Sequence, residues 1–206
     1  MGVQLDSEVK RVSSSITTGP RLAVVGSASF HDVANQALCE AIAAHLATIA
    51  ELVALTGGMS GVGVTFGRSY VTTRRELGFP ENLFNLLPEG AIACTSGITL
   101  VAGSSFHERR EILGRISQAY LVIEGGPGTQ HECTVAIARG AAVIPVGRTG
   151  GCAGELHTSM GSPPQFSAAD WELLGDKSAP TGMIVAAIGR LVAAAIGQWP
   201  DKLPPA

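Results

Sequence analysis

Lysine is missing from the long middle of this chain. Of the 206 residues, the only lysines are Lys10, Lys177 and Lys202, so none lies between positions 11 and 176. Schiff-base catalysis, pyridoxal phosphate anchoring and a P-loop each need that amine. The central region is therefore expected to bind anions through arginine side chains and backbone N–H groups.

Charge is also scarce, and basic residues are not in excess. Charged residues make up 15% of the chain and apolar residues 46%, and the formal net charge is -3 with a pI near 5.9. High apolar content with little charge predicts a folded globular domain rather than a disordered chain. Without a basic surface, nucleic-acid binding is not expected, and the predicted partner is a small molecule.

Cysteine pairs and long apolar runs are missing as well. The cysteines stand far apart, at Cys39, Cys94, Cys133 and Cys152. Without a C-x-x-C pair, neither a zinc site nor a disulfide framework is predicted. The longest apolar segment, 183–197, contains Arg190 and is shorter than the roughly 18 residues of a membrane span. The charged N-terminus does not resemble a signal peptide. We predict a cytoplasmic protein without a metal, a cofactor or a membrane partner.

Short apolar runs alternate with helical segments along most of the chain. The strand candidates are 22–25, 52–55, 83–87, 98–102, 120–123 and 142–146. The helix candidates are 32–50, 64–77, 105–118, 129–139, 168–174 and 181–197. Continuous apolar strands separated by helices are typical of a parallel sheet that is covered on both faces. The sequence therefore predicts an α/β protein.

The two ends of the chain differ from this pattern. Residues 1–20 are polar without a sustained period, so we predict a flexible tail there, and a second tail over 201–206. Residues 21–200 form the predicted single domain. The segment 181–197 is apolar nearly all round, so it must be buried in its own sheet layer or against a second subunit. A homo-oligomer is predicted on this basis.

Three loops rich in glycine or serine, 26–29, 57–63 and 125–129, directly follow strand candidates. In open parallel sheets ligands bind beyond the carboxyl ends of the strands, where glycine admits a phosphate and a helix N-terminus favours an anion. Glycine also closes ordinary strand-to-helix turns, but three such loops on one edge favour ligand binding. The G-x-G-x-x-G and G-x-S-x-G patterns are absent, which argues against hydride transfer and an α/β-hydrolase.

Three charged residues accompany the third loop. Glu132 follows Thr129 by three positions, which fits a helix capping box as well as a catalytic carboxylate. Arg109 and Arg110 belong to an earlier helix candidate. They fit either a solvated helix face or permanent cations at the ligand-binding edge. From the residues alone, both interpretations stay open.

The segment 124–132 resembles a known family signature. Its sequence E-G-G-P-G-T-Q-H-E looks like the P-G-G-x-G-T-x-x-E motif of the Lonely Guy (LOG) family, whose members are often mislabelled as lysine decarboxylases. An R-K pair precedes that motif in the family. Arg109 and Arg110 stand in its place, with Arg109 at the family spacing of 23 positions (132 minus 109) before Glu132. T-G-G-M-S-G-V-G at 56–63 and V-G-S-A-S at 25–29 are similar to the family's earlier loops, so the resemblance covers about residues 21–147.

The resemblance implies a Rossmann-like fold, an open parallel sheet with helices on both faces, in a homodimer. It implies hydrolysis of the N-glycosidic bond of a nucleoside 5'-monophosphate, of the AMP or cytokinin riboside monophosphate type, to free base and ribose 5-phosphate. By position, Arg109 and Glu132 are the catalytic pair. The residues expected to bind the substrate and its phosphate are Gly26, Ser27, Gly57, Gly58, Gly61, Arg110, Gly125, Gly126, Gly128 and Thr129. The lysine-free centre also argues against a lysine decarboxylase.

Two residues depart from the family pattern. Glu124 replaces the signature proline and adds a carboxylate beside a loop expected to bind an anion, so it either pairs with an arginine or signals another ligand. Arg110 replaces the usual lysine. A second interpretation is a non-catalytic nucleotide-binding or molybdenum cofactor carrier protein of the same superfamily. In that case, loss of Glu132 would leave binding intact.

Overall fold

Six parallel strands form the centre of the protein in a computed structural model that describes residues 2–197. The strands are β1 (Arg21–Gly26), β2 (Val53–Thr56), β3 (Leu83–Leu87), β4 (Ile98–Val101), β5 (Ala119–Ile123) and β6 (Ala142–Pro145). They lie in the order β4-β3-β2-β1-β5-β6, and every neighbouring pair is parallel. The predicted α/β class and open parallel sheet are confirmed.

Helices connect the strands and cover the sheet. Within residues 2–197 they are α1 (Gly2–Ser14), α2 (Val33–Leu46), α3 (Val62–Glu76), α4 (Phe106–Leu113), α5 (Pro127–Ala138), α6 (Gly151–Met160), α7 (Ala168–Gly175) and α8 (Thr181–Gly197). A short 3-10 turn, Gly147–Thr149, precedes α6. Parallel strands need crossover connections, and α2, α3, α4 and α5 each lie in one between consecutive strands, whereas the chain between β3 and β4 contains no helix.

Two hydrophobic cores lie on opposite faces of the sheet. Successive side chains of a strand point to opposite faces, so Leu22 and Val24 of β1 join one core while Ala23 and Val25 join the other. The first core is completed by α2, α3, α7 and α8, and the second by α1, α4, α5 and α6. Burial on both faces explains why the strands are continuous apolar runs in the sequence.

The predicted flexible tail over residues 1–20 is wrong for most of its length, because Gly2–Ser14 form helix α1. Val9 and Val12 are buried in the second core and Leu5 packs against it. These residues recur at i, i+4 and i+7, which places them on one helix face. The polar residues between them hide this narrow stripe in the sequence. Val9, Val12 and Ile16 thereby tie the N-terminal segment to the domain.

Helix α6 was not predicted, because the sequence is rich in glycine and proline between Val146 and Pro164. Cys152, Ala153 and Leu156 of this helix are buried in the second core. Helix α8 is buried within its own chain, against α2, α7 and the sheet. Its apolar surface therefore does not require a second subunit. The predicted tail at 201–206 and the domain's last residues, 198–200, lie outside the described residues.

Candidate functional site

The carboxyl ends of β1 and β5 meet where the strand order reverses. β1 pairs with β2 on one side and with β5 on the other, so the connections leave the sheet in opposite directions. The three glycine loops predicted from the sequence follow β1, β2 and β5 at this edge. A cavity of about 320 Å³ opens between them. Ligands of open α/β sheets bind at such a crevice.

Most residues predicted for the site line this cavity. They are Gly26, Ser27, Gly57, Arg109, Arg110, Gly126, Gly128, Thr129 and Glu132. Three different loops and the helices α4 and α5 supply them. The sheet topology thus brings together motifs that are far apart in the sequence.

The other three predicted residues, Gly58, Gly61 and Gly125, do not line the cavity. All three have positive φ, at 62°, 73° and 99°. A Cβ on Gly61 would lie 2.4 Å from the carbonyl oxygen of Ser27, and a Cβ on Gly125 would lie 2.7 Å from the Cβ of Thr129. The structure therefore gives these glycines a role in shaping the loops, since a side chain there would be strained and would clash.

Arg109 of α4 and Glu132 of α5 form a buried ion pair in the cavity wall, between Nη1 of the arginine and Oε1 of the glutamate. Each residue is 5% exposed. A Cβ on Gly57 would lie 2.7 Å from Nη1 of Arg109, so a side chain there would displace the guanidinium from its present position. The structure brings the predicted catalytic pair into direct contact.

Burial dominates the electrostatics of this pair. It raises the pKa of the Glu132 carboxyl, and the nearby Arg109 and Arg110 counteract this shift. Burial likewise lowers the pKa of the Arg109 guanidinium. Within residues 2–197, the Nε–H of Arg109 is buried without a hydrogen-bond acceptor. A buried donor without an acceptor costs free energy, because it has lost its contact with water.

The capping-box interpretation of Glu132 is wrong. Helix α5 begins earlier than the sequence suggested, with Gly126 at its N-cap and Pro127 in its first turn. The hydroxyl of Thr129 donates to the carbonyl oxygen of Gly26, at 3.2 Å, and does not cap the helix. Glu132 therefore lies beyond the capping positions and is free to pair with Arg109.

Arg110 lies against the N-terminus of α5. A Cβ on Gly128 would lie 3.0 Å from its Nε, which places the guanidinium beside the backbone of the first helical turn. Among the described residues, Arg110 has no carboxylate partner. The first N–H groups of a helix lack intrahelical acceptors and carry a partial positive charge. Arg110, Gly128 and Thr129 together form a surface suited to a phosphate.

Glu124, the departure from the family signature, points away from the cavity. Its side chain is fully buried at the start of α2, where the backbone N–H of His31 donates to it at 3.1 Å. The Asn35 side-chain amide donates to the same oxygen, Oε1, at 2.7 Å. The structure thus corrects the first interpretation drawn from the sequence, since Glu124 pairs with no arginine among the described residues. Its side chain also does not line the cavity.

The backbone of Glu124 also excludes the family's proline. Its φ is 53°, whereas the pyrrolidine ring of proline fixes φ near -65°. The Glu124 backbone N–H donates to the Thr149 hydroxyl, and its carbonyl oxygen accepts from the Ala153 N–H at the start of α6. In this chain the first signature position therefore fastens the loop to α2 and α6.

We expect Glu124→Pro to destabilise the protein by about 3 kcal/mol or more, because the φ angle must change and the buried hydrogen bonds are lost. Glu124→Gln keeps a side-chain oxygen and the backbone angle, so it should cost only about 1–2 kcal/mol. Urea unfolding of both variants measures the difference. A Glu124→Pro protein as stable as the Gln variant would contradict the loop conformation described here.

The remaining candidate groups around Glu132 do not reach the cavity. His131 contacts Glu111, with Nε2 and Oε1 at 2.6 Å, and its ring lies 5.0 Å from that of His107. A hydrogen bond with Cys152 and burial both raise the pKa of the Cys133 thiol, which disfavours a nucleophilic thiolate. Within residues 2–197, no cluster of three or more acidic, histidine or cysteine side chains is arranged to bind a metal.

Sequence reasoning missed the apolar part of the cavity. Phe106 from the start of α4 and Met59 from the loop after β2 line it, together with Ser60. The signal for Phe106 was available, because it stands three and four positions before Arg109 and Arg110 and must share their helix face. For Met59 the sequence offers no comparable signal.

Comparisons with known proteins support the fold. No protein-family model matches the chain, and no curated protein matches it. Among solved structures, the structural-genomics target TM1055 is 23% identical with a TM-score of 0.57, over 68% of this chain and 81% of that one. The molybdenum cofactor carrier protein of Chlamydomonas reinhardtii is 20% identical with a TM-score of 0.58, over 85% and 99%. The molybdenum cofactor binding protein of the phototrophic bacterium Rippkaea orientalis is 16% identical with a TM-score of 0.58, over 84% and 98%. The chain has their Rossmann-like fold.

None of the helices between residues 2 and 197 has the length and apolar character needed to cross a membrane. This agrees with the sequence of α8, the most apolar helix, which contains Arg190.

Proposed function

We propose that this protein hydrolyses the N-glycosidic bond of a nucleoside 5'-monophosphate, of the AMP or cytokinin riboside monophosphate type, to free base and ribose 5-phosphate. The observation that carries the proposal is the placement of Glu132 and Arg109 in one cavity with Arg110, which lies at a helix N-terminus and has no carboxylate partner within residues 2–197. A carboxylate that stabilises positive charge thus lies beside a surface that binds a phosphate. The resemblance of 124–132 to the LOG signature supports the same activity.

The phosphate binds first in this scheme and positions the ribose. Arg110 supplies a permanent cation, and the backbone N–H groups of Gly128 and Thr129 supply donors at the positive end of α5. The energy of binding this non-reacting group can then be used to hold the glycosidic bond in place. Gly126 and Gly128 have no side chains that would keep the phosphate from the backbone.

Bond cleavage places positive charge on the ribose ring. The C1'–N bond breaks, its electron pair leaves with the base, and the base takes up a proton. The ionised carboxylate of Glu132 stabilises the oxocarbenium-like ring and orients a water molecule, which adds to C1' and releases a proton. Arg109 keeps Glu132 ionised in its buried position, against the burial that raises the pKa of this carboxyl.

The test is incubation of the purified protein with AMP, with chromatographic detection of adenine and a separate assay for ribose 5-phosphate. Adenosine is the control substrate, since it has the same glycosidic bond but no phosphate. Release of adenine from AMP, with little or none from adenosine, supports the proposal. Intact nucleotides across a panel of monophosphates would contradict it.

Arg110→Ala is expected to raise the KM for AMP about 10- to 100-fold with a smaller change in kcat, because one charge-assisted contact to the phosphate is lost. Any weak reaction with adenosine should not change. The matched control is Arg68→Ala, which removes an exposed arginine paired with Glu40 on α2. An Arg110→Ala enzyme with wild-type KM would place the phosphate elsewhere.

The alternative is a carrier that binds a nucleotide or molybdenum cofactor without reaction. Two of the similar structures are described as molybdenum cofactor carrier or binding proteins, and they match 85% and 84% of this chain. The anion-binding surface at α5 would serve a pterin phosphate equally well. Such a carrier has no need of a carboxylate in its cavity, so Glu132 favours the hydrolase.

The assembly and the compartment belong to the same proposal. We retain the homodimer on the resemblance to the LOG family alone, since α8 is covered within its own chain. Sedimentation equilibrium checks the mass in solution. We also retain a cytoplasmic location and the absence of a bound cofactor as expectations of the hydrolase, and a lysine decarboxylase stays disfavoured by the lysine-free centre.

A further inference from the structure

Helix α4 presents three side chains to the cavity in a defined sequence. Phe106, Arg109 and Arg110 stand at i, i+3 and i+4, so they share one helix face. Phe106 is the first residue of the helix, and the two arginines lie about one turn further along it. The face therefore changes from an aromatic ring to a pair of cations, in the order in which a nucleotide changes from base to phosphate.

The Phe106 end of the cavity is an exposed apolar platform. Phe106 as a residue is 42% exposed and Met59, which also lines the cavity, is 37% exposed, although both are large hydrophobic residues. The guanidinium of Arg109 lies 5.8 Å from the ring centroid of Phe106. An open aromatic ring with a flexible thioether nearby can stack on a planar ring of any composition. Covering this apolar surface with a base is more favourable in free energy than leaving it exposed to water.

The side chains in the described lining of the cavity that could read the edge of a base already have other partners or roles. Arg109 and Glu132 pair with each other, the Thr129 hydroxyl donates to the carbonyl oxygen of Gly26, and Arg110 belongs to the proposed phosphate surface.

The rest of the lining offers few further groups of this kind. It includes no asparagine, glutamine, aspartate, histidine or lysine. The two serine hydroxyls are engaged with the backbone: Ser60 donates to the carbonyl oxygen of Ala28, and Ser27 accepts from the N–H of Gly125. Discrimination between bases depends on donors and acceptors placed along their edges. Among the described lining residues, no polar side chain is left over for that task.

We propose that the protein recognises the face of the base, by stacking on Phe106, and not its edge. It therefore accepts both purine and pyrimidine nucleoside monophosphates. Purines bind more tightly because they cover more of the ring. This inference rests on the proposed nucleotide substrate, and it adds which bases are accepted and which residue binds them. Stacking on an aromatic side chain discriminates little between bases, because every base has a π-face.

The test measures equilibrium binding by calorimetry, separately from turnover. Dissociation constants for AMP, GMP, CMP and UMP, measured in a Glu132→Gln background so that the nucleotides are not consumed, should fall within about tenfold of one another. Phe106→Ala should weaken all four by about tenfold or more, and Phe106→Tyr, which keeps the ring, should restore binding. Ribose 5-phosphate has no base, so its affinity should be the same in all three proteins. Circular dichroism checks that the variants fold.

The outcomes separate this inference from the proposed hydrolysis. Binding that depends on Phe106 without any base release would contradict the hydrolase and leave the stacking inference standing. Base release with one base preferred more than a hundredfold would contradict the inference and leave the hydrolase standing. Unchanged nucleotide affinity in Phe106→Ala, or no binding of any of the four nucleotides by the parent Glu132→Gln protein, would overturn the inference.

Discussion

Glu132→Gln is expected to reduce base release from nucleoside monophosphates by at least about 10²- to 10³-fold while nucleotide binding persists. The amide has nearly the shape of the carboxylate, so the cavity is preserved. It has no negative charge to stabilise the developing positive charge on the ribose, and that interaction exists only in the transition state. The loss should therefore fall on kcat more than on KM.

Initial rates with AMP and calorimetric binding of AMP measure the two effects side by side. Glu40→Gln is the matched control, because that glutamate on α2 is paired with Arg68 at the surface and does not line the cavity. Thermal unfolding of the variant shows whether the fold is retained. A Glu132→Gln protein with wild-type kcat would remove the carboxylate from the mechanism.

The same variant separates the hydrolase from the carrier. A carrier has no turnover to lose, so wild type and Glu132→Gln would bind a nucleotide or pterin phosphate alike and release nothing. The hydrolase predicts turnover in the wild type only.

The site could be predicted well from the sequence where its residues belong to short motifs. The loop 125–129 follows a buried strand directly, and Arg109 and Glu132 lie on the helices that flank it. The topology of an open parallel sheet then brings the loop ends together. Local pattern and global topology agree at this edge, which is why the cavity contains most of the predicted residues.

The errors occur where composition conceals a tertiary contact. The N-terminal helix has only a narrow apolar stripe, which includes Val9 and Val12. This stripe is enough to hold the helix in place because it packs into the second core. Glu124 shows the same limitation more strongly. Its partners His31 and Asn35 are about 90 positions away, so no local pattern reveals that its carboxylate lies at the start of α2. Helix α5 begins at Pro127 with no side-chain cap, and the Thr129 hydroxyl donates to the carbonyl oxygen of Gly26 in β1.

Arg109→Met is expected to destabilise the protein by about 3–5 kcal/mol at neutral pH, since it leaves the Glu132 carboxylate buried without its partner. Methionine fills much of the arginine volume, so little of this loss should come from a cavity. The double variant Arg109→Met with Glu132→Gln should recover most of the stability, because the buried charge is then gone as well. The cycle of four proteins measures the coupling of the pair.

The loss in Arg109→Met should also depend on pH, in a direction fixed by Glu132. Burial already raises the pKa of this carboxyl in the wild type, and Arg109 opposes that shift. Without Arg109, the folded-state pKa rises further above the unfolded value of about 4.3. The protonated form is then the one compatible with burial. The Arg109→Met protein is therefore most stable below the unfolded-state pKa of the Glu132 carboxyl. It loses this stability as the pH rises through the folded-state pKa.

Urea unfolding of Arg109→Met and of the double variant between pH 5 and pH 8 tests this. The single variant should lose stability relative to the double variant as the pH rises, because only the single variant has a titrating carboxyl at position 132. Other titrating groups are shared by the two proteins and cancel in the difference. A stability difference between the two variants that stays constant across this range would mean that the Glu132 carboxylate reaches water once Arg109 is removed. The ion pair would then not be what keeps Glu132 charged in the cavity.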